Sequence, residues 1–406
     1  MLFEAINKAM PFLLVPVLTH YLSPGEMGII AEFTATLGIL SIIIGLNVHG
    51  AINVAFFRLS KCDLSIYIYN ALLILLVTGG IALLISFMLK VFDMSVSSFS
   101  FEWLQIAIFV SAMSFFTTIN LVLWQSEMKS VAYGIYQTVL TILNVSLSLW
   151  FVIVIELGWK GRVLGQSISV IILGVFSIYM LYKRGYIKRT VRQKYLKDAL
   201  KFGLPLVPHS LSLWAFMGFN IILISSSFGQ DQAGVFSIAM QFSMILAVVN
   251  SSINRALQPV VFKYLNDITS VGKVVYVKYV YIGMIGLSVL GVLFYYIAIF
   301  LFDLFIATEF SQAKNFIPYL IIAEIFNGMY FLVVKPIYYM NKNHRISIST
   351  LISAIVHIVL SPILIQHIGV IGVAYSLVIS TSLLFVMIWF QAQSVFPLPW
   401  LTFNAR

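Results

Sequence analysis

The 406-residue sequence predicts an all-α polytopic membrane protein of twelve transmembrane helices in two pseudo-symmetric six-helix lobes. Three observations carry that expectation. Hydrophobic residues make up 61% of the chain and charged residues 9%, whereas soluble globular proteins carry roughly 25% charged residues. The apolar residues come in repeated runs of about 20, and such a run satisfies its backbone in a bilayer only as a helix. Between the sixth and seventh runs lies a basic segment from Lys183 to Lys201. It holds Lys183, Arg184, Lys188, Arg189, Arg192, Lys194, Lys197 and Lys201, a third of the 24 lysines and arginines, and only Asp198 opposes them within it. A run of like charge stays in water at one membrane face. Positive residues are retained on the cytoplasmic side, so this hinge fixes the orientation of the rest. Its composition also suits binding of anionic lipid headgroups.

Taken in order, the first half gives spans at about 3–21, 28–57, 66–90, 103–126, 131–155 and 161–182. The second gives about 204–227, 234–262, 274–302, 315–339, 346–366 and 369–392. The predicted organisation is therefore an N-terminal lobe at 1–182, the hinge at 183–201 and a C-terminal lobe at 202–406. With both termini cytoplasmic, only Lys90, Lys160, Arg162 and Lys314 fall in outside loops, and the other 20 basic residues lie in inside loops or on spans. The 93–102 and 303–314 segments are then outside. The net charge of +10 is accounted for by this bias, so no nucleic-acid partner is expected. The lone Cys62 excludes an intramolecular disulfide and a cysteine metal cluster. No Walker-type phosphate loop is present, no loop is long enough to house a soluble catalytic domain, and no cofactor or enzymatic activity is expected.

The halves repeat. LSPGEMG (22–28) stands where FGQDQAG (228–234) stands, and from Gly28 and Gly234 the two run on at a constant offset of 206. Later, Gly158 and Gly161 match Gly369 and Gly372 at an offset of 211. Six-span halves of like polarity imply parallel repeats with a substrate path between them.

KAMPFLLVPVLTHYLSPGEMG (8–28) resembles the opening of the O-antigen (Wzx-type) flippases and related polysaccharide exporters. These belong to the multidrug/oligosaccharidyl-lipid/polysaccharide (MOP) superfamily, with the lipid II flippases and the MATE drug exporters. FGLPLVPHSLSLW (202–214) with AGVFSIAMQ (233–241) resembles the start of that family's second half. GWKGRVLG (158–165) and GVIGVAYS (369–376) resemble its sixth and twelfth spans. The resemblance covers essentially the whole chain. It implies a V of two six-helix lobes in a bacterial inner membrane. The implied activity moves an undecaprenyl-diphosphate-linked glycan from the cytoplasmic to the periplasmic leaflet, with H⁺ or Na⁺ as coupling ion, among membrane lipids and other polysaccharide assembly proteins. A departure falls at span seven, where Phe219 and Asn220 replace an Asp-Arg pair of many relatives. No charge mechanism is carried over from that span.

Charges inside apolar spans cost on the order of 2.5–3.5 kcal/mol each on insertion scales, so they are expected to face a protein-lined or wet cavity. Lys8 pairs with Glu4 at the inner membrane end or serves as a cavity cation. Glu32 needs a partner or a proton. Asn47 and Arg58, three turns apart, share a face of span two, where Arg58 either lines a cavity or snorkels. His209, Ser212, Phe216 and Asn220 form one stripe of span seven at 3.6 periodicity, as helix–helix glue or substrate wall. Arg255 lies on one face of span eight with Gln241 and Ser252, and the offset of 206 places it on His49. It is the leading substrate contact, and lipid II flippases imply cavity arginines on a diphosphate. Glu324 and Lys335 share a face of span ten, too far apart to pair directly. Substrate contacts are thus expected at Arg255, Lys8, Arg58, His49, His209, Asn220 and Lys335, ion coupling at Glu324 and Glu32, and no metal. Cations outnumber carboxylates in this set, which favours an anionic substrate. The alternatives are a cation-coupled, MATE-like drug exporter and a membrane glycan polymerase, the latter lacking a periplasmic catalytic loop.

Overall fold

The computed structural model describes residues 2–92, 99–266 and 269–400, with side chains described from Phe12 onward except Ser270. The side chains of Glu4 and Lys8, and residues 93–98 of the expected outside segment, thus lie outside the described residues. Among the described residues every regular element is helical. Eleven helical stretches are long and apolar enough to cross a membrane, and Phe12–Tyr21 is a further, shorter apolar helix. The protein is an all-helical, multi-pass membrane protein.

Two compact units divide the chain, Met1–Gly234 and Val235–Arg406. The first contains α1 (Leu2–Tyr21), α2 (Pro24–Ile43), α3 (His49–Arg58), α4 (Lys61–Val91), α5 (Phe101–Ser126), α6 (Ser130–Leu149) and α7 (Trp159–Lys183). It continues through α8 (Gln193–Gly203), α9 (Val207–Trp214) and α10 (Asn220–Phe228) to the first turns of α11 (Gln230–Asn266). Its start signals are local. Ser23, Pro24 and Glu26 build a reciprocal capping box at the head of α2, which satisfies two donors that a helix start leaves open. Ser60 accepts from the Asp63 amide at the head of α4. The core joins α3, α4, α5 and α8 through Ile52, Tyr67, Ile68, Ala71, Ile119, Leu123 and Ala199, all almost fully buried.

The second unit holds α12 (Ser270–Phe305), α13 (Ile317–Val333), α14 (Lys335–Tyr339), α15 (Asn343–Ile368) and α16 (Ile371–Val395). Its core gathers Val280, Val333, Val334, Ile337, Phe385 and Ile388. Span ten breaks at Val334, immediately before the Lys335–Pro336 pair that opens α14, because proline lacks the amide that would continue the ladder.

Spans two, five and seven differ from uninterrupted helices. Span two breaks between α2 and α3, where Gly45, Leu46 and Asn47 successively take positive φ of 88°, 47° and 58°. The freed Gly45 amide donates to Thr78 Oγ1 at 3.0 Å, as a backbone inside a membrane requires. Asn47 therefore precedes α3 rather than sharing its face with Arg58, which corrects the expected stripe. π turns at Trp150–Val154 and Ala215–Phe219 interrupt the fifth and seventh spans. The second shifts the register by about one residue, so the 209–220 stripe does not run on one face.

Candidate functional site

Two repeat-equivalent glycines of the first unit meet where α2 and α11 begin. A Cβ on Gly234 would stand 1.8 Å from the Pro24 carbonyl oxygen and 2.8 Å from the Gly28 amide nitrogen. A Cβ on Gly28 would stand 2.0 Å from the Gln230 carbonyl oxygen. The heads of α2 and α11 cross there with no room for a side chain. Gly161 and Gly372, the later repeat pair, play matching parts: a Cβ at either would meet the preceding helix's backbone at 2.8 Å and 2.5 Å.

Beside the first crossing sits Glu32, 3% exposed. Its carboxylate accepts from Ser225 Oγ at 2.8 Å and from Gln230 Nε2 at 2.5 Å. Gln230 Nε2 also reaches Ser225 Oγ at 2.7 Å. These neutral donors tie α2 to α10 and to the first turn of α11. Further along, Trp214 Nε1 donates to the Ala35 carbonyl at 2.9 Å, and Asn47 Nδ2 donates to Ser210 Oγ at 3.1 Å.

The expected substrate residues of this unit separate. His49 opens α3 and packs edge-on to Phe115, with ring centroids 6.3 Å apart. His209 on α9 is partly buried, and its Nδ1 is enclosed without a hydrogen-bond partner among the described residues. Asn220 is fully buried and donates from Nδ2 to the Phe216 carbonyl of its own helix at 2.9 Å. Arg58, at the last turn of α3, lines a cavity of about 390 Å³ with Lys194, Lys201, Tyr67 and Asp198.

In the second unit Arg255 stands exposed on α11. Glu324 accepts from Asn327 Nδ2 at 3.1 Å, and its main-chain carbonyl accepts from Asn250 Nδ2 at 2.8 Å. Lys335 is 2% exposed, and its Nζ has no hydrogen-bond partner among the described residues. His357, fully buried, shares a hydrogen-bond cluster with Ser361 and Ser376, the arrangement of a packed structural histidine.

The hinge is held more firmly than its run of charge suggests. Three carboxylates, not Asp198 alone, engage it. Asp63 accepts from Arg192 Nη1 at 2.8 Å and from Tyr195 Oη at 3.0 Å. Asp198 accepts from Tyr67 Oη at 2.9 Å. Glu127 accepts from Arg184 and, at 2.5 Å, from Tyr186 Oη, while Lys129 pairs with its other oxygen at 3.0 Å. The Arg184 guanidinium lies between the Trp124 and Tyr186 rings, 5.5 Å and 4.9 Å from their centroids. Asn70 takes the Arg192 amide on Oδ1 and donates to the Thr190 carbonyl. Burial pushes the Tyr186 hydroxyl up to about 12, helped by the Glu127 carboxylate it serves. Burial would raise Glu127, but the hydrogen bonds from Tyr186 and Lys129 and the Arg184 charge hold it below the usual carboxylate range. The signal was present: Glu127 is the sole acid in the 103–155 stretch.

The chain has a multi-pass helical membrane fold with charged side chains held inside its spans. Solved structures share it. The inward-facing conformation of a multidrug resistance MATE family transporter of the MOP superfamily matches with a TM-score of 0.76 at 14% identity, covering 95% of this chain and 94% of that one. A MOP superfamily transporter from Pyrococcus furiosus, described as having a binding pocket of reverse polarity, matches with a TM-score of 0.66 at 14% identity over 97% and 92% of the two chains. The fold is thus that of the MOP superfamily. The model of the polysaccharide biosynthesis protein family matches residues 1–265, and the chain belongs to that family. Lsg locus putative protein 1 of Haemophilus influenzae is 22% identical over 363 residues, 87% of either chain.

Proposed function

We propose that the chain is a flippase for an undecaprenyl-diphosphate-linked oligosaccharide, an O-antigen or related surface-polysaccharide repeat unit. In this reading two six-helix lobes in a V, with termini and hinge cytoplasmic, alternate across a bacterial inner membrane and carry the glycan to the periplasmic leaflet. The supporting observation is an asymmetry in how charges are satisfied. Buried Lys335 and exposed Arg58 form no ion pair or hydrogen bond among the described residues, whereas Glu32, Glu127 and Glu324 all accept hydrogen bonds. Cations left open and carboxylates occupied suit an anionic cargo such as a diphosphate. Arg255 offers the same chemistry, a planar fork that stays charged when partly desolvated. Glu32 and Glu324 are the proposed coupling sites for H⁺ or Na⁺, since a carboxylate within a span is costly when charged.

A second reading, cation-coupled drug export, draws on the fold shared with MATE transporters and on the buried Glu32. One assay separates the two. Purified protein in proteoliposomes is expected to flip a defined polyprenyl-diphosphate oligosaccharide, faster with an imposed H⁺ or Na⁺ gradient. Arg255→Ala is expected to abolish flipping with the protein folded, and Glu32→Gln or Glu324→Gln to remove the gradient's effect. Gradient-driven efflux of a cationic drug without glycan flipping would establish the second reading instead.

A further inference from the structure

The hinge cavity has its own chemistry. Helix α3 supplies Ala51, Val54, Ala55 and Arg58, Leu59 follows at its end, and α4 supplies Tyr67. From α8 come Lys194, Asp198 and Lys201, spaced four and three residues apart and therefore on one face. Tyr195, which also lines the cavity, and Ala199 of the same helix are buried in the core and hold α8 in place. At about 390 Å³ the space falls within the roughly 300–1,000 Å³ usual for a small-molecule site.

Its charge is unbalanced. Arg58, Lys194 and Lys201 form no ion pair or hydrogen bond among the described residues. The single carboxylate, Asp198, has one oxygen engaged by Tyr67. Apart from Tyr67 and Tyr195, the remaining wall is apolar, from Ala51, Val54, Ala55, Leu59 and Phe202. Three open cations beside an apolar wall match an anion joined to a greasy chain rather than a free ion.

We propose that this cavity binds the phosphoryl group of an anionic amphiphile, with Arg58 and Lys201 as principal contacts and Lys194 as a third cation. The guanidinium takes two phosphate oxygens in a fork, and the lysines add point charges. The first apolar segment of the ligand lies along Val54, Leu59 and Phe202. Asp198 opposes the phosphoryl group and limits affinity, so that bound lipid can leave. Both a bilayer phospholipid and a polyprenyl diphosphate carry this chemistry. The site does not depend on the flippase reading.

The test is binding by the full-length protein in phosphatidylcholine nanodiscs, titrated in separate arms with short-chain phosphatidylglycerol, farnesyl diphosphate and inorganic pyrophosphate. Saturable binding of one or both amphiphiles is expected, at least tenfold tighter than pyrophosphate, and the stronger arm identifies the source. Arg58→Gln with Lys201→Gln is expected to weaken it at least tenfold. Lys197→Gln, a hinge cation outside the cavity, is expected to leave it within twofold. Asp198→Asn, which keeps an acceptor for Tyr67, is expected to tighten it severalfold, a sign that a merely structural carboxylate would not give. Equal loss in Lys197→Gln, or no saturable binding by the unaltered protein, would overturn the site. Neither outcome bears on glycan flipping, which the proteoliposome assay reads separately.

Discussion

Lys335→Met tests whether a costly charge is kept for transport. The side chain is 2% exposed, and its Nζ has no partner among the described residues. Its sequence neighbours Val334 and Ile337 are fully buried. An unpaired ammonium held there carries a desolvation cost of roughly 3 kcal/mol on insertion scales. Methionine keeps the long unbranched chain and removes the charge, and replacing buried charge by apolar groups of similar volume can stabilise by about 1–4 kcal/mol. A gain of roughly 2–3 kcal/mol is expected, hence a rise in Tm of about 3–6 °C for a chain of this size. Thermal unfolding of the purified protein in detergent reads that gain. Flipping in proteoliposomes is expected to fall at least tenfold at the same time. A drop in Tm would refute the reasoning, because it would mean that the ammonium stabilises the fold. A raised Tm with unchanged flipping would equally refute it, since the charge would then have no task.

The remaining predictions address the glycine crossing, the hinge anchor and the orientation. Gly234→Leu is expected to destabilise by more than the ~1–3 kcal/mol of ordinary overpacking, since the Pro24 carbonyl lies where its Cβ must go. Gly80→Ala on α4, with open space around it, is expected to raise stability by about 0.5–1 kcal/mol, and unfolding midpoints check both. The depressed Glu127 contributes stability that is present above the ordinary carboxylate pKa of about 4.3 and is lost as pH falls through its lower folded value. Glu127→Gln is therefore expected to lower Tm at pH 7 and to approach the parent below pH 4. With Cys62 replaced by Ser, a cysteine at Gln312 is expected to react with an impermeant reagent from the periplasm of intact cells. Reaction only after access from the cytoplasm would reverse the orientation.

The legible parts of the fold were those written in period and composition. Runs of about 20 apolar residues mark spans whatever they pack against, and the offset of 206 pointed to Gly28 and Gly234, which the structure brings into contact. The hinge was legible as a charge run but not as a docked helix. Tyr195 and Ala199 become core residues only because α4 lies beside them, and no local pattern announces a neighbour 130 residues away. Breaks in spans were the least legible. Gly45 is an ordinary place for positive φ, but Leu46 and Asn47 follow it there, and only the Thr78 hydroxyl, one span later, completes the turn. The break also has a mechanical consequence. It leaves Glu32 on α2 and Arg58 on α3, so the carboxylate at the glycine crossing and the cationic cavity ride on separate half-helices. The hinge and α8 are tied to α4 through Asp63, Tyr67 and Asp198, while α2 is tied to α10 through Glu32.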